Sequence, residues 1–350
     1  MIDKNLLKFK CVFDRTIYAP GDKVEGIAVF TVPNISVLPK KVLLAVCGQE
    51  RTFHKDGYID GSRAMFSGGT DVLEGSTVRA GTFSVPFSFT IPTGVPDSFR
   101  YDNGTTWAEI IYLVRVLMDY STEETLTWVT GEAPITVRNP LPQASALEGV
   151  ESDTQEHDIM SCCCFKRGAV ECDVQVDKKA YYPGEFVEFE ALVRPTKDGL
   201  VRKVRVELVS CVQLSNSSLL DDTPSYPESP EVIIESHEVS GMLDPIKLRF
   251  QIPQDAASTS MGVITRRMHF IRVSLDTPST FYTEFFVAVN VLPSKEADYT
   301  SIPGSLAERI AQVAPGPCTQ LAREDWVLPT KVKVNGQPLG RQVAMHVPEY

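Results

Sequence analysis

The chain has 350 residues, 43% of them hydrophobic and 23% charged, a composition that fills the cores of two domains and excludes a disordered or fibrous polymer. Its formal net charge of −11 and pI near 5.1 exclude sequence-independent binding of nucleic acid, which needs a surplus of Lys and Arg. No run approaches the roughly 20 apolar residues of a membrane span, and Met1–Lys10 lacks the apolar stretch of an export signal. A cytoplasmic protein with reduced thiols is therefore expected despite its eight cysteines.

Alternation along Leu7, Phe9, Cys11 and Phe13 predicts a first strand whose other face carries Lys8 and Lys10. With Arg15 and Lys23 beside it, the strand forms a candidate patch for an acidic or phosphorylated peptide, held by charge-assisted hydrogen bonds. The plain alternative is a set of solubilising lysines at a sheet edge. An open edge near residues 6–13 also suits β-augmentation, in which a bound peptide adds a strand. Ala19-Pro20-Gly21-Asp22 is a turn, because Pro fixes φ and Gly accepts a positive one. Phe83, Val85, Phe87, Phe89 and Ile91 alternate without a break and predict a half-buried strand, with Pro86 marking an edge or a bulge. Residues 109–119, rich in β-branched and aromatic side chains, predict a more deeply buried strand.

Residues 139–165 hold no Lys or Arg, while Glu148, Glu151, Asp153, Glu156 and Asp158 cluster among small polar residues. That composition predicts an acidic linker over 144–160. Cys162, Cys163 and Cys164 follow it. Vicinal cysteines bridge poorly; the plain reading is thiols packed beneath the second domain, with reversible acylation or zinc binding as the alternatives. Val287, Val289 and Val291 alternate in a last strand. After Pro293 the character changes again. Ser305 and Glu308 form a capping box, and Leu306, Ile310 and Val313 predict a short helix over 305–314 that has to dock to be stable. Val347-Pro348-Glu349-Tyr350 ends the chain.

The strongest pattern is a repeat. Tyr18-Ala-Pro20-Gly21 returns as Tyr181-Tyr-Pro183-Gly184, Lys41-Val42 as Lys203-Val204, Phe89-Thr-Ile91-Pro92 as Phe250-Gln-Ile252-Pro253, and Arg115-Val116 as Arg272-Val273. The offset drifts only from 163 at Pro20 to 157 at Asp119, as loop-length changes between like elements produce. Two copies of one β-module are predicted, each an antiparallel sandwich. The equivalent placement of Arg115 and Arg272 suggests a structural role, with the equivalent Asp119 and Asp276 as partners.

Together these segments resemble the arrestin superfamily, and within it the arrestin-domain-containing proteins or α-arrestins. The likeness covers residues 6–293 and rests on Phe9–Val29, Leu44–Gly48, Ile91–Phe99 before Ile111–Val116, and Cys162–Phe165 before Gly168-Ala-Val170. It implies an all-β fold of two tandem immunoglobulin-like sandwiches over 1–143 and 161–293, and a tail over 294–350. It also implies a non-catalytic cytoplasmic adaptor, without cofactor. Such an adaptor binds cytoplasmic tails of membrane proteins, meets membranes peripherally at the plasma membrane or endosomes, and passes its cargo to sorting machinery. Family members recruit HECT-type ubiquitin ligases through Pro-Pro-x-Tyr sequences that bind WW domains. None is present here; the nearest sequences are Val347-Pro348-Glu349-Tyr350 and Thr223-Pro224-Ser225-Tyr226, and Val347, Pro348 and Tyr350 are the candidate for ligase recruitment. The phosphate-sensing polar core of visual and β-arrestins does not map onto this chain residue by residue.

Two other functions fit less well. A structural coat subunit like the Vps26 family of retromer would keep the architecture, and an extracellular adhesive sandwich would use the three N-x-Ser/Thr sequons and oxidised cysteines. No catalytic motif of the serine-hydrolase, phosphate-loop or zinc-protease kind is present.

Overall fold

The computed structural model describes residues 8–34, 38–55, 60–72, 79–121, 128–139, 148–161, 165–215, 225–227, 232–238, 245–277 and 283–293, with 308, 309, 312, 319–320, 331–334 and 337–338 from the C-terminal segment. The chain divides into two compact units, Met1–Asn139 with Asp298–Tyr350, and Pro140–Ala297. Most of their described backbone is strand.

The first unit holds β1 (Phe9–Phe13), β2 (Ile17–Tyr18), β3 (Lys23–Val32), β4 (Lys41–His54), β5 (Asp60–Asp71), β6 (Gly81–Thr90), β7 (Phe99–Asp102), β8 (Thr106–Asp119) and β9 (Trp128–Val137). The second holds β10 (Glu148–Ser161), β11 (Phe165–Lys178), β12 (Ala180–Tyr181), β13 (Phe186–Pro195), β14 (Lys203–Leu214), β15 (Ser225–Pro227), β16 (Val232–Glu238), β17 (Ile246–Gln251), β18 (Ser260–Met261), β19 (Thr265–Asp276) and β20 (Thr283–Val291). β21 (Thr319–Gln320), β22 (Lys331–Val334) and β23 (Gln337–Pro338) return to the first unit.

One sheet of the first unit has the order β1-β3-β6-β21, and the other β2-β9-β8-β4-β5-β22-β23 with β7 on β8. Their inner faces bury Phe30, Phe83, Phe87 and Phe89 against residues such as Leu44, Val46, Ile110, Val114 and Val116. Gly131 on β9 leaves room for Phe9, because a Cβ there would meet the Phe9 side chain. In the second unit the sheets are β10-β11-β13-β17 and β12-β20-β19-β14-β15, with β16 on β14 and β18 on β19. Val174, Phe189, Val206, Ile271, Phe285 and Val287 share its core.

The repeat is visible bond by bond. Tyr18 Oη donates to Asp14 Oδ1 at 2.6 Å and accepts from the Arg15 N–H at 3.1 Å, while Asp14 Oδ1 also accepts the Glu25 N–H at 3.0 Å. In the second unit Tyr181 Oη donates to Asp177 Oδ1 at 2.9 Å and accepts from the Lys178 N–H at 3.1 Å, and Asp177 takes the Glu188 N–H at 2.8 Å. Even the cation above each ring recurs, Arg15 at 5.6 Å and Lys178 at 5.7 Å. Both tyrosines sit in a two-residue strand paired in parallel with the last strand of their own sandwich, β2 with β9 and β12 with β20. The turns that follow are the same: Gly21 (φ +90°) and Gly184 (φ +83°) donate to the Ile91 and Ile252 carbonyls, each at 2.9 Å. A buried phenol with a carboxylate acceptor keeps its proton, and burial together with that bond pushes both tyrosines well above the ordinary range.

Three expectations are corrected. Residues 148–161 are not a linker but β10, paired with β11 from Glu148↔Lys178 to Ser161↔Phe165 with two register shifts. Ile159 is fully buried, and the acidic side chains are those of an edge strand, engaged laterally by Lys166 on Asp158 at 2.6 Å and Lys179 on Glu151 at 3.7 Å. The segment after Pro293 is not a separate tail, since β21 adds to β6 and β22 to β5. The arginines do not pair with Asp119 and Asp276, which stand four residues along the same strands, about 13 Å away. Arg115 instead meets Glu132 across the ladder at 2.7 Å, and Arg272 meets Glu207 at 2.6 Å and Glu284 at 3.7 Å. Of the helix expected over 305–314, Glu308, Arg309 and Gln312 are helical, and the remainder lies outside the described residues.

Candidate functional site

β1 lies at the edge of its sheet. Antiparallel pairing joins it to β3 from Phe9↔Phe30 to Phe13↔Gly26 without a register shift, and no described strand pairs with its other side. The Lys8 carbonyl accepts from Thr31 and the Asp14 N–H reaches Glu25, so the even-numbered backbone groups of β1 point to β3. Those of Phe9, Cys11 and Phe13 point out of the sheet. The Phe13 carbonyl accepts from Arg309, and at Phe9 and Cys11 the edge is a row of alternating donors and acceptors along which a further strand can form a ladder.

The four basic residues expected at this edge separate into two kinds. Lys8 and Lys10 are exposed and make no ion pair among the described residues. Lys10 lies opposite Val29 on the outer face of the sheet. Arg15 and Lys23 are engaged in the turn. Arg15 reaches Asp22 at 2.9 Å and Asp14 at 3.3 Å, and Lys23 pairs with Glu25. Their charges are balanced by these neighbours. Two free cations beside open backbone remain. Beneath them Cys11 is a poor nucleophile, its thiol pushed far up by burial.

The other candidate residues are placed as follows. Val347, Pro348 and Tyr350 lie outside the described residues. So do Cys162, Cys163 and Cys164, although Ser161 and Phe165 on either side are cross-strand partners and Phe165 is 74% exposed. Among the described residues no three His, Cys, Asp or Glu side chains are grouped to hold a metal ion, and no helix is long and apolar enough to cross a membrane. A cavity of about 340 Å³ at the β7–β8 hairpin is lined by Arg100, Tyr101, Asp102, Trp107, Ala108 and Glu109. Its lining contains no Ser, Cys, His or Lys, and Arg51 holds Glu109 at 3.4 Å.

Two sandwiches built on one repeated plan, the first presenting a basic open edge, define a tandem β-sandwich protein with an arrestin-like adaptor fold. Residues 166–291 match the model of the arrestin (or S-antigen) C-terminal domain, which supports membership of the arrestin superfamily. Comparison with the curated proteins finds no match.

Proposed function

We propose that the protein is a cytoplasmic adaptor of the α-arrestin kind, which binds the tails of membrane receptors or transporters and links them to endocytic, sorting or ubiquitination machinery. The observation that carries this reading is the free edge of β1 with Lys8 and Lys10 exposed beside it. An extended acidic or phosphorylated tail gains main-chain hydrogen bonds from the edge and charge-assisted ones from the lysines. Arg15 and Lys23 belong to the reading in a supporting role, holding the turn that ends the strand. A second weak contact elsewhere on the chain raises the effective concentration of the first. Val347, Pro348 and Tyr350 are the candidate for that contact on a ligase WW domain. Acylation of Cys162, Cys163 or Cys164, next to exposed Phe165, would hold the adaptor at a bilayer without a spanning segment.

The test is titration of acidic and phosphorylated tail peptides into the full chain and into Lys8→Glu/Lys10→Glu. About tenfold weaker binding and a shallower salt dependence are expected for the variant. Unchanged affinity and salt dependence would discard the patch.

A further inference from the structure

In the repeat β11 is the counterpart of β1. Phe9, Cys11 and Phe13 stand 163 positions before Cys172, Val174 and Val176. The pairing repeats with them, since Cys11↔Ala28 becomes Val174↔Ala191 and Phe13↔Gly26 becomes Val176↔Phe189. The Ala169 carbonyl accepts from the Thr196 N–H at 2.9 Å, so odd-numbered backbone groups of β11 point to β13 and even-numbered ones away from it. On β1 the corresponding groups are open at Phe9 and Cys11. On β11 a strand already lies along them: β10 runs antiparallel, with Glu151 opposite Val176, Asp153 opposite Val174, Gln155 opposite Cys172 and His157 opposite Val170.

β10 is held as a bound peptide is held and not as a core strand. Residues opposite each other share a face, and Val170, Cys172, Val174 and Val176 all point into the core, fully buried. β10 sets Glu151, Asp153, Gln155 and His157 in that row, polar side chains that a core does not take. Among its described side chains only Ile159 is buried. The rest of the hold is lateral. Beside the backbone ladder, Thr154 donates to Asp173 at 2.8 Å, Gln155 Nε2 to the Phe286 carbonyl at 2.8 Å, and the His157 ring meets Phe285 edge-on at 4.8 Å. A lysine closes each end, Lys166 on Asp158 at 2.6 Å and Lys179 on Glu151 at 3.7 Å. β10 itself carries no Lys or Arg. The first unit completes the same sandwich with β1 as its edge, so the fold does not require a strand at this place.

We propose that the β11 edge is a peptide-binding site of the second unit, filled by the chain's own β10, and that its ligand is an extended acidic segment of another protein, which displaces β10 and takes its register. The ladder supplies the main-chain bonds of such a ligand. Lys166 and Lys179 select its charge, since a neutral or basic strand leaves both without an acceptor from it. Tethered in the chain, β10 competes at high effective concentration, so only a strand that pairs better, or one linked to a second contact, replaces it. The inference does not depend on cargo binding at β1.

The experiment is residue-resolved amide exchange on the full chain under native conditions. Cys172 and Val174 direct their N–H to β10, Glu171 and Asp173 to β13. The first pair is expected to exchange faster than the second by about tenfold or more, because β10 opens while the sandwich stays closed. Equal protection of the two pairs in the unaltered chain would overturn the proposal, and this comparison needs no variant. Ile159→Asp removes the buried anchor of β10 and should widen the gap by about a further tenfold, with Glu171 and Asp173 unchanged. A synthetic peptide of residues 148–161 is then added to that variant up to millimolar concentration. Renewed protection of Cys172 and Val174 is expected, about tenfold weaker for a peptide carrying Glu151→Lys and Asp158→Lys. No protection by the first peptide, or equal protection by both, would contradict the site or its acidic preference. Phe9 and Cys11, read in the same spectra, report any binding at β1 separately.

Discussion

Replacing Tyr18 or Tyr181 with Phe removes one oxygen from each copy of the repeated network and leaves both rings in place. Each oxygen donates to a carboxylate and accepts one backbone N–H. A hydrogen bond to a charged acceptor contributes about 1.5–3 kcal/mol, and a stranded donor adds to the loss. The rings are fully buried and fill the same volume as Phe, so no cavity cost enters. Asp14 and Asp177 each keep a backbone donor, from Glu25 and Glu188, which limits the damage. The expected destabilisation is about 2–3 kcal/mol, a large fraction of the roughly 5–15 kcal/mol that holds a domain. Hydrogen exchange under native conditions, read on fragments from 8–139 and from 165–291, separates the two domains. Tyr18→Phe should weaken only the first and Tyr181→Phe only the second, by the same amount within about 1 kcal/mol. A loss below about 0.5 kcal/mol in either, or a large difference between them, would refute the claim that the networks are equivalent and structural.

Further outcomes follow from the same geometry. Arg272→Met removes the short ion pair to the Glu207 carboxylate, whose side chain is 3% exposed, leaving it Arg205 at 3.7 Å, and should cost about 2–3 kcal/mol. Arg115→Met should cost less, because its partner Glu132 is 44% exposed and regains water; thermal melts of both variants from pH 4 to 8 check the contrast. Gly131→Ala pushes a methyl into Phe9 and should lower first-domain stability by about 1–3 kcal/mol while loosening β1, measured by denaturant unfolding. Burial pushes the Cys172 thiol up from 9.0 to about 12. The unfolded chain then ionises first, so this thiol leaves stability unaffected below pH 9 and erodes it from pH 9 toward 12. Melting temperature against pH, compared with Cys172→Ala, isolates that contribution.

What the sequence made legible was local or repeated. Asp177, Tyr181, Glu185 and Glu188 stand 163 positions after Asp14, Tyr18, Asp22 and Glu25, and a network closed within some eleven residues leaves that mark on the chain. Pro86 announced an edge because a missing N–H restricts where a strand can sit. β10 was misread because its acidic composition matches that of a linker, while its order comes from the partner strand β11 and from one buried side chain, Ile159. The arginine partners were misread for the same reason, since cross-strand neighbours are set by register and not by spacing along the chain. Arg309 and its acceptor Phe13 lie 296 positions apart, and the acceptor is a backbone carbonyl, so no pattern in the side chains could have joined them. Lys8 and Lys10 were legible by alternation, whereas setting Arg15 and Lys23 aside required the turn in three dimensions.

The adaptor reading is tested most directly by amide exchange along β1 while a saturating acidic tail peptide is added to the full chain. Phe9 and Cys11, whose N–H groups leave the sheet, are expected to slow by at least tenfold, with Lys10 and Val12 unchanged because β3 already holds them. A peptide that binds and leaves Phe9 and Cys11 exchanging as before would contradict the account.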